Sequence, residues 1–369
     1  WIVASTAFAI GGLARWTQFR ARAAQGATAD LAEVDLPGVL AGVEIHEGPP
    51  TGLAAARVAI IQNHSTRTWA VTAAIVHPGT GMRDAEDRAR MGRGLADLLD
   101  QASRGELVDE ILFLVRTVPE DGAERDQWIA RHRRPDGPAQ VRVINDELQQ
   151  VLTGASVRTE AFITLVVPES RLGKAAKEAG RGIDGRAQVL YSQMAEIEAQ
   201  LKGGMGCTSV SWLTSPELAM ACRTGFAPGD RAGIIDALSA RTRDPHVNAD
   251  VPWAMAGPSG ADAVARHYSH DAWNSISATL KLPVKGAVLG ALPAGHRTVV
   301  VVLARVTEAV VRAAPDAGAV VVGAAAVTAA IDARIAPAPQ QIQAESGQAG
   351  RDAFAGQRVA VLIQQSGDP

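Results

Sequence analysis

The chain has 369 residues, 47% of them apolar, and a net charge of −3 at neutral pH. That length suits roughly two or three compact domains of about 100–200 residues, and the apolar share excludes a chain disordered throughout. The charge offers no basic field for nucleic acid. Cys207 and Cys222 lack a CxxC or CxxH companion, which excludes a disulfide framework and fits a reducing compartment.

Residues 1–14 are uncharged and mostly apolar, and Arg15, Trp16, Arg20 and Arg22 follow. A full span takes about 20 apolar residues, so the run predicts the second half of a transmembrane helix that begins upstream. Charges placed after the apolar run fit the positive-inside rule, whereas a signal peptide carries them before it. A buried helix of a globular domain is the competing reading. Residues 1–27 are therefore expected to be the end of a membrane span and its juxtamembrane segment. A start at Trp1 and an end at Asp368-Pro369, directly after the strand-like "QRVAVLIQQ", suggest a fragment cut at both ends.

A first domain is expected over 28–169. The turn-rich "DLPGVLAGVEIHEGPPTG" leads into two β-like runs, "ARVAIIQNH" and "RTWAVTAAIV", which read as a hairpin. A helix follows, with Met91, Leu95, Leu98 and Leu99 on one face and Gly105 at its end. "ELVDEILFLVRTVP" is a strand, "ERDQWIARHRR" and "VINDELQQVLTGAS" are helices around a Pro-Gly break, and "VRTEAFITLVVP" is a strand. The order β-β-α-β-α-α-β is not that of a doubly wound parallel sheet. It predicts an α+β fold of mostly antiparallel sheet covered by helices.

A second α+β domain is expected over 170–369, truncated at its carboxyl end. "IDGRAQVLYSQMAEIEAQLKG" is an amphipathic helix and "CTSVSWLT" a short strand. "SPELAMACRTGF" opens a helix with Ser215 as N-cap and Pro216 at the first helical position. Residues 228–264 are rich in Gly, Pro and Asp and read as a long excursion. "SISATLKLP" and "HRTVVVVLARV" are strands, the Ala-rich run from Thr307 to Ile335 is helical in two pieces, and a polar linker precedes the last strand.

The chain carries little that reads as chemistry. "LKGGMGCTS" comes nearest to a phosphate loop, but Lys202 stands before the glycines and no GK[ST] follows. GxSxG and HExxH are absent, so the common hydrolase and zinc-protease signals are missing, and no dinucleotide-binding signal is expected either. In "ARHYSHDAWNS", His267, His270 and Asp271 have the right types for a zinc or iron site, and on a helix they would share a face. Such a site needs a third ligand of fixed geometry, for which only a loop with Asp244, His246 and Asp250 offers residues. The alternative is that His270 and Asp271 fix a junction by hydrogen bonds, with Trp273 packed beneath. The second is the preferred reading: no metal, cofactor or catalytic residue is expected. The basic run "RHRRPDG" (131–137) reads as a solvated helix terminus.

Several stretches in order resemble a family of actinobacterial membrane proteins associated with conjugal transfer. They are "GLARWTQFRARAAQG", "DLPGVLAGVEI", "VAIIQNHSTRTWAVTAAI", "ELAMACRTGFAPGDR", "HYSHDAWNSISATLKLP" and "HRTVVVVLARV". The resemblance runs from about residue 11 onward. It implies a membrane-anchored, cytoplasm-facing, non-enzymatic scaffold of a type IV secretion-like apparatus, located at the cell membrane. Its implied partners are a TraC-type conjugation ATPase and a small PrgI-type membrane protein, with homo-oligomers compatible and no direct nucleic acid. Alternatives are the amino-terminal docking region of a conjugation ATPase, or a type VII secretion membrane component.

Overall fold

A computed structural model of the chain describes residues 18–26, 35–79, 83–105, 107–134, 136–155, 157–263, 267–276, 300–302 and 363–366. After a short strand β1 (Gln18–Arg20), the larger sheet begins with β2 (Val43–Thr51), β3 (Ala56–Asn63) and β4 (Thr68–Val76). It continues with β5 (Glu110–Pro119), β6 (Val157–Pro168) and β7 (Ser209–Trp212). The order is β11-β5-β6-β4-β3-β2, where β11 (Val300–Val302) runs parallel to β5 and the other neighbours are antiparallel. β3 pairs with β4 only over Ile61–Asn63. Beyond that point β7 takes the edge of β4 from Ala73 to Val76, and the Ala59 N–H donates to Leu213 O at 2.9 Å. The chain after residue 170 thus wedges into the sheet built before it.

β2 runs through Gly48-Pro49-Pro50, a stretch whose composition predicts a turn. It is tolerated because β2 is an edge strand, where a missing N–H leaves no ladder bond unmade, and the register slips between Glu47 and Pro50.

Among the described residues seven α-helices accompany the sheets: α1 (Ala85–Arg104), α2 (Ala123–His132), α3 (Ala139–Ala155), α4 (Glu169–Glu178), α5 (Gly182–Gly203), α6 (Ser215–Phe226) and α7 (Asp230–Arg241). α1, α4 and α5 cover one face. Leu95 and Leu98 of α1, Leu172 of α4, and Leu190, Ile197 and Leu201 of α5 pack with Val71, Phe113, Ile163 and Leu165 of the strands. Ala187, Leu190, Met194, Ile197 and Leu201 recur at steps of three and four, the stripe of a helix with one buried side. Each large side chain in that stripe contributes about 1.5–3 kcal/mol by leaving water. The boundary expected between residues 169 and 170 falls inside this core. On the other face Ala59, Leu213 and Leu218 form a smaller cluster beneath α6, joined by Ile61, Phe162 and Trp253. The N-cap of α6 is Thr214, one residue before the expected Ser215, in a capping box with Glu217. α7 lies in the stretch expected to be an excursion.

The second sheet is antiparallel, in the order β1-β8-β9-β10-β12. It contains β8 (Gly260–Ala263), β9 (Tyr268–His270), β10 (Trp273–Ile276) and β12 (Ile363–Ser366). The α+β class with two helix-covered sheets agrees with the order of elements read from the sequence. The transmembrane helix expected before it is a correction. Gln18–Arg20, placed in the juxtamembrane segment, is a strand bonded to Gly260–Ala263, and no helix among the described residues is long and apolar enough to cross a membrane. The apolar run 1–14 and the Ala-rich run 307–335 lie outside the described residues.

Candidate functional site

The histidine cluster takes a form that a helix reading does not anticipate. β9 and β10 make a hairpin whose turn holds Asp271 at φ +48°. His270 closes β9 and His267 stands just before the strand, so the two do not share the helical face that a metal site would use. His270 is 1% exposed. Its Nδ1–H donates to Phe226 O at 2.5 Å, and Nε2 accepts from the Ser275 hydroxyl. Both nitrogens are occupied, which leaves none for a metal. Burial lowers its pKa, outweighing the Phe226 bond and the Asp271 charge, which act to raise it. Asp271 Oδ1 accepts from the N–H groups of Ser259 (2.7 Å) and Gly260 (3.2 Å), and its other oxygen lies 3.3 Å from Arg223. These two residues tie β8, β9 and the end of α6 together. Asp244, His246 and Asp250 stay apart from them; Asp250 pairs with Arg241.

Among the described residues the carboxylates of Glu120, Asp121 and Glu124 approach one another closely enough to hold a cation. Arg231 already answers them. Its Nη1 donates to Asp121 Oδ1 at 2.9 Å and to Glu124 Oε2 at 2.9 Å, and it is 8% exposed. Burial acts to raise the Asp121 carboxyl, but the Ala123 N–H, Arg231 and Arg158 together hold it below its ordinary value. Next to this cluster Arg116, also buried, bonds Glu160, Ala221 O and Thr224. The arrangement is an internal ion network that fixes the start of α2 against α7.

The GRGIDG turn at 180–185 has G-x-G-x-x-G spacing, contrary to the expectation that the chain carries no dinucleotide-binding signal. It follows a helix instead of a strand, so it lacks the dinucleotide-binding context. A Cβ at Gly185 would stand 2.5 Å from Ala176 O, so this glycine serves the close crossing of α4 and α5. A cleft of about 900 Å³ lies beside α7, and its Arg22–Asp35 and Arg223–Asp230 groups face one another in pairs.

What the fold leaves unanswered is the hairpin of α2 and α3. Every residue from Pro138 to Leu148 is exposed. Val141 (50%), Ile144 (61%), Leu148 (52%) and Val151 (66%) stand at steps of three, four and three. This is the stripe that α5 buries, here turned to solvent. Asp146 meets Arg133 and Gln149 reaches Asp126, so the polar side of α3 faces α2 and the apolar side faces away. Six of the ten large apolar side chains exposed among the described residues lie on this hairpin, Trp128 and Val143 being the others. Scattered exposed apolar groups need no account, but a clustered stripe does. Its spacing was legible in the sequence, whereas its lack of cover was not.

No family model matches the chain, and no curated protein or solved structure matches it. With these findings and the absence of a spanning helix among the described residues, the expectation of a membrane-anchored scaffold of a conjugation or secretion apparatus is corrected. So are its cell-membrane location, its ATPase and small-membrane-protein partners, and the two secretion-related alternatives.

Proposed function

We propose that this chain is a protein-interaction module that takes a helix on the apolar face of α3. The observation that carries the reading is the Val141, Ile144, Leu148, Val151 stripe, exposed and backed by the polar contacts that hold α3 to α2. A helix of seventeen residues is marginal in water without packing, so a stripe of this kind is stabilised by being covered. The rigid root of the hairpin supports the same reading, because Arg231 anchors α2 while leaving α3 outside the core. The reading assigns binding and no catalysis. It is supported by polar clusters that are satisfied internally, at His270, Asp121 and Arg116.

The test separates a docking surface from a concealed core. Ile144→Glu with Leu148→Glu is expected to change the unfolding free energy by no more than about 0.5 kcal/mol when measured at about 0.2 µM, as for other surface positions. Chemical denaturation followed by tryptophan fluorescence reads it. A loss of several kcal/mol would mean that the stripe is buried in this chain's own core, and the reading would fail.

A further inference from the structure

The edge of the larger sheet brings together side chains that stand far apart in sequence. In the β2–β3 register Glu44 lies opposite Gln62, and the His64 N–H donates to Gly42 O at 2.9 Å, so Glu44, His46, Gln62 and His64 share one face. Trp69 lies on that face too, opposite Gln62 on the β4 side. His46 stacks on its ring, with centroids 5.4 Å apart. The His46 side chain is 19% exposed, against 55% for Glu44 and 53% for His64.

Hydrogen bonding leaves a gap in this set. The Gln62 amide oxygen can only accept, so His46 Nε2–H donates to it at 2.8 Å. In the neutral ring Nδ1 is then a bare lone pair, and it stands 3.8 Å from Glu44 Oε1. Two acceptors thus face each other with no hydrogen to share. The other Glu44 oxygen lies 2.9 Å from His64 Nε2. Among the described residues no Lys or Arg pairs with Glu44. The carboxylates of Asp121 and Glu124 differ, because Arg231 supplies their cation.

We infer that Glu44, His46 and His64 form a site for a divalent cation of the zinc type. Two imidazoles and a carboxylate are a zinc donor set, whereas magnesium and calcium ask for oxygen ligands. Bonds of about 2.0–2.2 Å hold tetrahedral ligand atoms roughly 3.3–3.6 Å apart, and the two distances from Glu44, 2.9 and 3.8 Å, straddle that spacing. The three ligand atoms are not yet within 4.8 Å of one another in every pair. Turning His64, half-exposed in the turn after β3, closes the set. Gln62 is a positioning residue. It holds His46 through the nitrogen away from the metal, as the outer partners of metal-bound histidines do. The fourth place is left to water. The cation ties the edge strand β2 to the turn that follows β3.

Calorimetric titration of the full chain with zinc chloride at about pH 7.5 tests the site. One equivalent is expected to bind, and magnesium chloride should give no binding. His46→Ala and His64→Ala should each weaken zinc by at least about 100-fold, and Gln62→Leu by about 10-fold, as for an orienting partner. His46→Ala removes a ring stacked on Trp69 and could disturb the fold; His64→Ala alters an exposed turn and keeps the test decisive. Zinc should also raise the thermal midpoint of the wild type but not of His64→Ala, because the site exists only in the folded chain. No saturable zinc binding, or zinc affinity unchanged in His64→Ala, overturns the inference.

Discussion

Arg231→Ala is expected to cost about 3 kcal/mol of stability, because it strips the cation from a partly enclosed carboxylate cluster. Arg231 joins α7 to the start of α2 through Asp121 and Glu124, with side chains 15% and 58% exposed. Asp121 carries most of the effect, since solvent screens the Glu124 pair. Asp121 would keep Arg158 and the Ala123 N–H, which sets the cost toward the low end for a broken buried pair. The acid limb gives a second reading. The folded pKa of Asp121 is depressed, so its stabilisation is present above the ordinary value of 3.8 and is lost as pH falls through the folded value. In Arg231→Ala that limb should flatten. Denaturant unfolding at pH 7 and near pH 3 reads both effects. An unchanged midpoint at pH 7 would show that α2 is not anchored by this network.

His270→Ala is expected to cost about 3 kcal/mol as well. It empties a space between Phe226 and Tyr268, whose rings lie 5.6 and 5.7 Å from the imidazole. It also leaves Phe226 O and the Ser275 hydroxyl without their partner. Wild-type stability should fall as pH drops below 6.5, the ordinary value, because the buried imidazole resists the proton that the unfolded chain accepts. The neutral ring contributes fully above that pH and progressively less down to the lowered folded value. In His270→Ala this slope should shrink to the part that His77, which burial also lowers, contributes. Thermal unfolding from pH 5 to 8 checks it. A slope as steep in the variant as in the wild type would assign the pH dependence to His77 instead.

The regular elements were legible wherever periodicity and punctuation agreed. The stripe of α1, the Pro119 end of β5 and the long run of β6 are such cases. β2 was hidden by its two prolines, which only an edge position permits. α7 was hidden in a Gly-rich context, although Asp230 opens it and Arg241 closes it with the charges that a helix dipole favours. "ARHYSHDAWNS" was ambiguous because two histidines three apart would share a helical face, whereas here His270 closes a strand and His267 stands before it. A composition that suggested a metal site thus belongs to a structural hairpin.

The candidate site shows the same limit differently. α3 and α5 carry stripes of similar spacing, though from the sequence α5 reads as an amphipathic helix and α3 only as a helix. Spacing tells which side of a helix is apolar and nothing about what covers it. Cover depends on long-range packing: α5 lies across the larger sheet, while α3 hangs from α2 by Asp146 and Gln149.

Hydrogen exchange along α3 and α5 of the dilute chain tests the central claim most directly. The account predicts rapid exchange across Ala139–Ala155, whose apolar stripe is uncovered, and strong protection across Gly182–Gly203, whose stripe is buried. It also predicts that Ile144→Glu with Leu148→Glu leaves the protection of α5 unchanged. Protection of α3 equal to that of α5, or loss of protection in both helices in the variant, would contradict it.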